Sequence, residues 1–131
     1  MKALLATVAL TALSSAALAQ ETMIATGGDG VVFVNILTPS DGVALEQLAA
    51  ELTEAMETEV RFQPGFRSAS VHMARDGSYV LNYAQWDDTG SVDAVVAKVQ
   101  SGELPELAEA FSLASPEFHP YDVMSVTLAA D

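Results

Sequence analysis

Few side chains of this chain can do chemistry, and three of them fall on one face of a single predicted hairpin. The stretch QPGFRSASVHMARDGSYVLNYAQW, residues 63–86, carries Asp76-Gly77 between two strand-like runs, the signal for two strands joined by a tight turn. A two-residue type I′ turn there pairs Arg75 with Ser78. Counting outward sets Met73 opposite Val80, Val71 opposite Asn82, Ala69 opposite Ala84 and Arg67 opposite Trp86, all on one face. On that face Asn82 can donate its amide to a developing oxyanion, and Trp86 offers an indole face to an aromatic ring. Arg67 can stack on that indole or pair with an anion. The other face carries Ser68, Ser70, His72, Leu81, Tyr83 and Gln85.

Other chemistry is poorly served. The chain has no cysteine, which removes thiol nucleophiles, disulfides and iron–sulfur clusters. Its two histidines, His72 and His119, lie apart on different predicted segments, so no histidine-rich metal site is expected, and no serine has a histidine base beside it. Gly27-Gly28-Asp29-Gly30 lacks the Lys-Ser/Thr of a phosphate loop and precedes a strand instead of a helix, which makes it a lead-in.

The elements that must position the hairpin can be read in order. VVFVNIL, residues 31–37, is a β-branched apolar run expected as a central strand covered on both sides, with Asn35 its one polar member. Thr38 to Gly42 is a turn, with Ser40 or Asp41 as the expected N-cap of a helix running to about Val60. Along it Leu45, Leu48, Ala49, Leu52, Met56 and Val60 form an apolar stripe, and Glu46, Glu51, Glu54 and Glu57 fall largely on the solvated side. Pro64-Gly65 then turns the chain into the hairpin. Val92, Val95, Val96 and Val99 mark a second helix stopped at Gly102, and Pro105 opens a short third one. Residues 115–120 read as a rigid loop and Tyr121 to Leu128 as the last strand.

Strand, helix, strand, strand, helix, strand is the α+β, ferredoxin-like β-α-β-β-α-β plait: an antiparallel sheet with helices on one face. Its other face would expose Tyr79, Leu81 and Tyr83, an apolar patch that a second copy would cover in a two-fold dimer.

Met1–Ala19 has a basic start, an apolar run and Ala17-Leu18-Ala19 at its end, the pattern of a secretory signal cleaved near Ala19. The expected organisation is therefore a signal peptide (1–19), a flexible lead-in (20–30) and one domain (31–128), secreted or periplasmic. Losing the leader removes Lys2 and no other charge, so the formal charge goes from −13 to −14. Such an acidic chain is a poor partner for nucleic acid or an anionic membrane, which are held mainly through Lys and Arg. No segment after the leader approaches the roughly 20 apolar residues of a membrane span.

The hairpin stretch, with VVFVNIL before it and FHPYDVMSV after it, resembles the antibiotic biosynthesis monooxygenase family of dimeric α/β barrels; PGF, the DGS turn and NYAQW are its most specific parts. The resemblance implies a cofactor-independent monooxygenase that binds a phenolic, anthrone or quinol-like aromatic between sheet and helices and oxidises it with molecular oxygen. No flavin, haem or metal is implied, because the deprotonated substrate itself reduces oxygen. Asn82 and Trp86 match the family's catalytic pair, four residues apart on one strand. Arg67 and Asn35 are the candidate substrate-binding residues, Asn35 reaching the same cavity or being held by its strand neighbours. The histidine that holds iron in related haem-degrading barrels has no counterpart on the helix after the hairpin. Nor has the family's further Tyr and Arg: no Tyr lies between Trp86 and Tyr121, and Lys98 is the only Lys or Arg after Arg75. The second reading is accordingly a non-catalytic secreted dimeric barrel that binds a small apolar or aromatic ligand.

Overall fold

The computed structural model describes residues 30–131. The expected signal peptide and most of the lead-in lie outside them. The elements are β1 (Val31–Pro39), α1 (Leu45–Thr58), a 3-10 turn (Val60–Phe62), β2 (Phe66–Met73), β3 (Val80–Trp86), α2 (Thr89–Gln100), α3 (Pro105–Ser112) and β4 (Ala114–Tyr121). The sheet order is β2-β3-β1-β4, with every neighbouring pair antiparallel. This is the α+β, ferredoxin-like arrangement expected from the sequence. No helix among the described residues is long and apolar enough to cross a membrane.

Period-two alternation divides each strand between two faces. Leu37, Val80, Ala84 and Trp86 point to the helices, where they meet Leu48, Leu52, Ala55 and Leu107 in the buried core. Each fully buried leucine contributes about 2 kcal/mol by removal from water. β1 is central as expected, but it is not covered on both sides along its length: Val31, Val32 and Leu37 are buried, whereas Val34 and Ile36, on the face away from the helices, stay half-buried.

α1 begins later than expected, and neither Ser40 nor Asp41 caps it. Ala44 holds the N-cap position without a side-chain bond. The Val43 N–H instead donates to the Ser40 carbonyl at 3.0 Å, closing a reverse turn in which Gly42 takes φ +82°. That turn uses up the polar residues before the helix starts. α3 is capped from a distance: the Glu59 carboxylate accepts the N–H groups of Glu106 and Leu107 at 2.8 and 2.9 Å, binding the end of α1 to the start of α3. α2 ends as expected at Gly102, φ +82°. The Glu103 N–H donates to the Lys98 carbonyl and the Gly102 N–H to that of Val99, the paired bonds of a Schellman stop.

The hairpin departs from expectation at both ends. Asp76 does not take a positive φ, and among residues 75–78 only Gly77 does, at +78°. The turn is a four-residue loop closed by the Ala74 N–H on the Tyr79 carbonyl at 2.9 Å, with Asp76 accepting from the Ser78 N–H at 3.0 Å. A loop one residue longer on each side keeps the same centre, so Met73 to Ala69 pair with Val80 to Ala84 as counted. Ser68 opposite Gln85 still follows the count, and beyond Ser68 it fails. Phe66, and not Arg67, lies opposite Trp86, with a register shift between Phe66 and Ser68. The Pro64-Gly65 corner is tied to the far end of β3 by the Asp87 N–H on the Gly65 carbonyl at 2.8 Å. Corner and turn are one residue out of step, and a bulge absorbs the difference.

The last strand is also placed differently. Residues 115–120 are not a loop: they belong to β4, and Asp122 onward has no regular structure. Pro116 and Pro120 made the segment read as a loop. They are an even number of residues apart on an edge strand, so both missing N–H groups fall on the side away from β1 and no ladder bond is lost.

Candidate functional site

Asn35 and Asn82 are paired across β1 and β3 and point toward the helices. Four residues along β3, on the same face, lies Trp86, only 4% exposed, its ring edge-to-face with Phe66 at 5.2 Å between centroids. The three side chains line one cavity of about 190 Å³ between the sheet and the helices. Its roof is the valine stripe of α2, Val92, Val95, Val96 and Val99, and Met56, Leu107 and Phe111 close it from α1 and α3. Val96, Gln100 and Phe118 are exposed lining residues and mark its mouth; Asn82, 1% exposed, lies at the inner end.

The carboxamide oxygens of Asn35 and Asn82 are both buried and reach no hydrogen-bond donor. Leaving a buried acceptor unmade costs about 1–3 kcal/mol. Two such acceptors, opposite each other in an otherwise apolar chamber, suit hydroxyl groups of a bound ring. Rotation of either amide presents its NH₂ instead, a donor for the corresponding oxyanion. None of the described cavity-lining residues is ionisable.

Two contacts hold α2 over this chamber, and a cap orders its first turn. Gly65, at φ +82°, lies so close to Ser91 that a Cβ would collide with the serine side chain, which lets the first turn of α2 approach the corner. Asp88 caps that turn, accepting from the Ser91 N–H at 2.8 Å and the Ser91 hydroxyl at 2.9 Å. These bonds, the backbone one first, hold the Asp88 carboxyl below its usual range. Toward the other end, Lys98 donates to Gln63 at 2.8 Å.

The structure thus brings Asn35, Asn82 and Trp86 together and leaves Arg67 out. The bulge turns the Arg67 side chain to the surface, where its Nε donates to Asp87 at 2.6 Å, and it lines no part of the cavity. The expected stacking of Arg67 opposite Trp86 is therefore corrected. Sequence reading also missed the rest of the chamber. The α2 valines read only as the apolar side of a second helix, and Phe118 read as a loop residue. Only the position of β4 beside β1 shows that Phe118, the register partner of Asn35, reaches the mouth.

His72 lies on the opposite face, within hydrogen-bond distance of Ser70 at 2.9 Å. It borders an open groove with Tyr79, Leu81 and Tyr83. His119 shares a strand with Glu117, 3.6 Å away. Among the described residues no group of three or more His, Cys, Asp or Glu side chains could hold a metal ion.

Fold and chamber resemble those of antibiotic-biosynthesis-monooxygenase domains, and comparison with known proteins bears out the resemblance read from the sequence. SnoaB from Streptomyces nogalater, a cofactor-independent oxygenase, superposes with a TM-score of 0.62 at 25% identity, over 76% of this chain and 97% of that one. The monooxygenase ActVA-Orf6 of Streptomyces coelicolor, solved in complex with nanaomycin D, matches with a TM-score of 0.53 at 26% identity, over 77% and 93% of the two chains. The tetracenomycin-F1 monooxygenase of Streptomyces glaucescens is 48% identical over 48 residues, 34% of this chain and 43% of that protein. The matched stretch thus spans less than half of that relative. No protein-family model matches the chain.

Proposed function

We propose that this protein is a cofactor-independent monooxygenase that converts a phenolic or quinol-like aromatic to a quinone. The observation that carries the reading is the pair of buried, unpartnered carboxamide oxygens of Asn35 and Asn82 beside Trp86. The similarity to SnoaB and ActVA-Orf6 supports it.

In this reading the ring lies against the Trp86 indole and its hydroxyl donates to Asn82 or Asn35. On loss of the proton the amides turn their NH₂ groups to the oxyanion, a preorganised dipole in a water-poor chamber. The electron-rich ring gives an electron to dioxygen, and the two radicals combine at a ring carbon bearing hydrogen to form a peroxide. The peroxide takes up a proton in place of the one lost by the hydroxyl, and loss of water from the resulting hydroperoxide turns that C–H carbon into a carbonyl. One oxygen atom of O₂ enters the product, and the other leaves as water.

Oxygen uptake with hydroquinones, naphthols and anthrones, beside Trp86→Phe and Asn82→Ala, tests this. Uptake above the uncatalysed rate that falls in both variants supports the oxygenase, with ¹⁸O from ¹⁸O₂ entering the quinone formed from the naphthols and anthrones, whose reacting carbon bears hydrogen. Quenching of Trp86 fluorescence without any uptake favours the ligand-binding barrel instead.

The protein acts, in the same proposal, as a homodimer outside the cytoplasm. Supporting the dimer are the apolar groove of Tyr79, Leu81 and Tyr83 and the exposed Met124 and Leu128 beyond β4. Supporting export is the leader-like composition of residues 1–19. Light scattering of the purified chain and the N-terminal mass of protein recovered outside the cytoplasm check the two points.

A further inference from the structure

Resting on the reading that this chamber is the substrate site, we infer that it selects rings by size: one ring or two fused rings carrying a hydroxyl, and not three or four fused rings. The chamber volume of about 190 Å³ is the first ground. For scale, an engineered apolar cavity of about 150 Å³ holds one benzene, and pockets for drug-sized ligands begin at about 300 Å³. A second fused ring fits this room. A third has to displace a wall or project past the mouth.

The second ground is that the roof resists displacement. Three of its α2 valines, Val92, Val95 and Val99, are at least half-buried, and β-branched side chains have few rotamers in a helix with which to make way. α2 cannot lift as a body without opening the Gly65–Ser91 approach and breaking the Lys98–Gln63 hydrogen bond, the two contacts that join its ends to the segment before β2. A ring pushed outward passes the exposed Val96 and Phe118 into water, where burial contributes nothing. Of the two acceptors Asn82 lies deeper, so a hydroxyl bound there enters first and the length available to the rings runs from Asn82 past Asn35 to the mouth.

Quenching of the single tryptophan, Trp86, under argon separates the sizes without turnover. The probes are hydroquinone, 1,4-dihydroxynaphthalene and 1,8-dihydroxyanthrone. The expected order places the two-ring compound tightest, with the three-ring compound weaker by about tenfold or more, the discrimination a filled apolar pocket gives against excess bulk. Met56→Ala and, separately, Val95→Ala should bring the three-ring compound to within about threefold of the two-ring one. A three-ring probe that binds the unaltered protein as tightly as the two-ring probe overturns the inference, and so does absence of quenching by every probe. Oxygen uptake on the same series keeps the two readings apart. Two-ring binding without uptake leaves the size selection standing and removes the oxygenase. Fastest uptake on the anthrone, with equal or tighter binding, keeps the oxygenase and removes the size selection.

Discussion

Asn35 and Asn82 face each other across β1 and β3, and each buries a carboxamide oxygen that meets no donor. A core built for stability alone would place apolar side chains there. Asn82→Leu, close in volume and without the orphaned acceptor, should raise stability by about 1 kcal/mol in urea unfolding. The same change should lower oxygen uptake by about 100-fold. A destabilised Asn82→Leu protein would mean that the amide holds the strands together.

Gly65 and Gly77 share the left-handed conformation, at φ +82° and +78°, but differ in surroundings. A methyl at Gly77 meets nothing within 4 Å, whereas one at Gly65 meets Ser91. Gly77→Ala should therefore cost only the backbone strain, about 1–2 kcal/mol. Gly65→Ala should cost more than that and also weaken quenching of Trp86 by ligand, because α2 must shift. Equal losses in the two variants would remove the corner from the account of how the chamber is roofed.

None of the described residues lining the chamber is ionisable. The pH dependence of turnover should then follow ionisation of the substrate hydroxyl. Exchanging a phenol for a more acidic one should move the rising limb of the rate–pH profile by the difference between the two phenols. A limb that stays in place when the substrate changes would reveal a protein base.

Asp88 titrates below the usual carboxylate range because the Ser91 N–H, and then its hydroxyl, bind the charged form. The folded-state pKa lies below the unfolded one. The cap's pH-linked contribution is therefore complete above the ordinary carboxylate value and is lost as pH falls through the depressed one. The stability difference between the unaltered protein and Asp88→Ala should be constant near neutrality and shrink in acid. A difference independent of pH would mean that the charge of Asp88 does not matter to the cap.

Much of the fold was legible because it is local. The valine run of β1, the three- and four-residue spacing of α1, the Gly102 stop and the Pro105 start each dictate their element from a few neighbouring residues. Asp76-Gly77 centred the hairpin correctly although the turn type was wrong, because a two- and a four-residue loop about the same centre share a register. That register was enough to put Asn82 and Trp86 on one face. What was not legible depends on contacts between distant segments. The bulge at Arg67 arises because the Gly65 corner is held by Asp87, more than twenty residues away, out of step with the turn. β4 contains two prolines that forbid a strand in the middle of a sheet and permit one at its edge, and only the strand order decides which applies. The chamber itself is the space left when helices from three parts of the chain fail to meet above two asparagines; no residue encodes a volume, which exists only once the walls are packed.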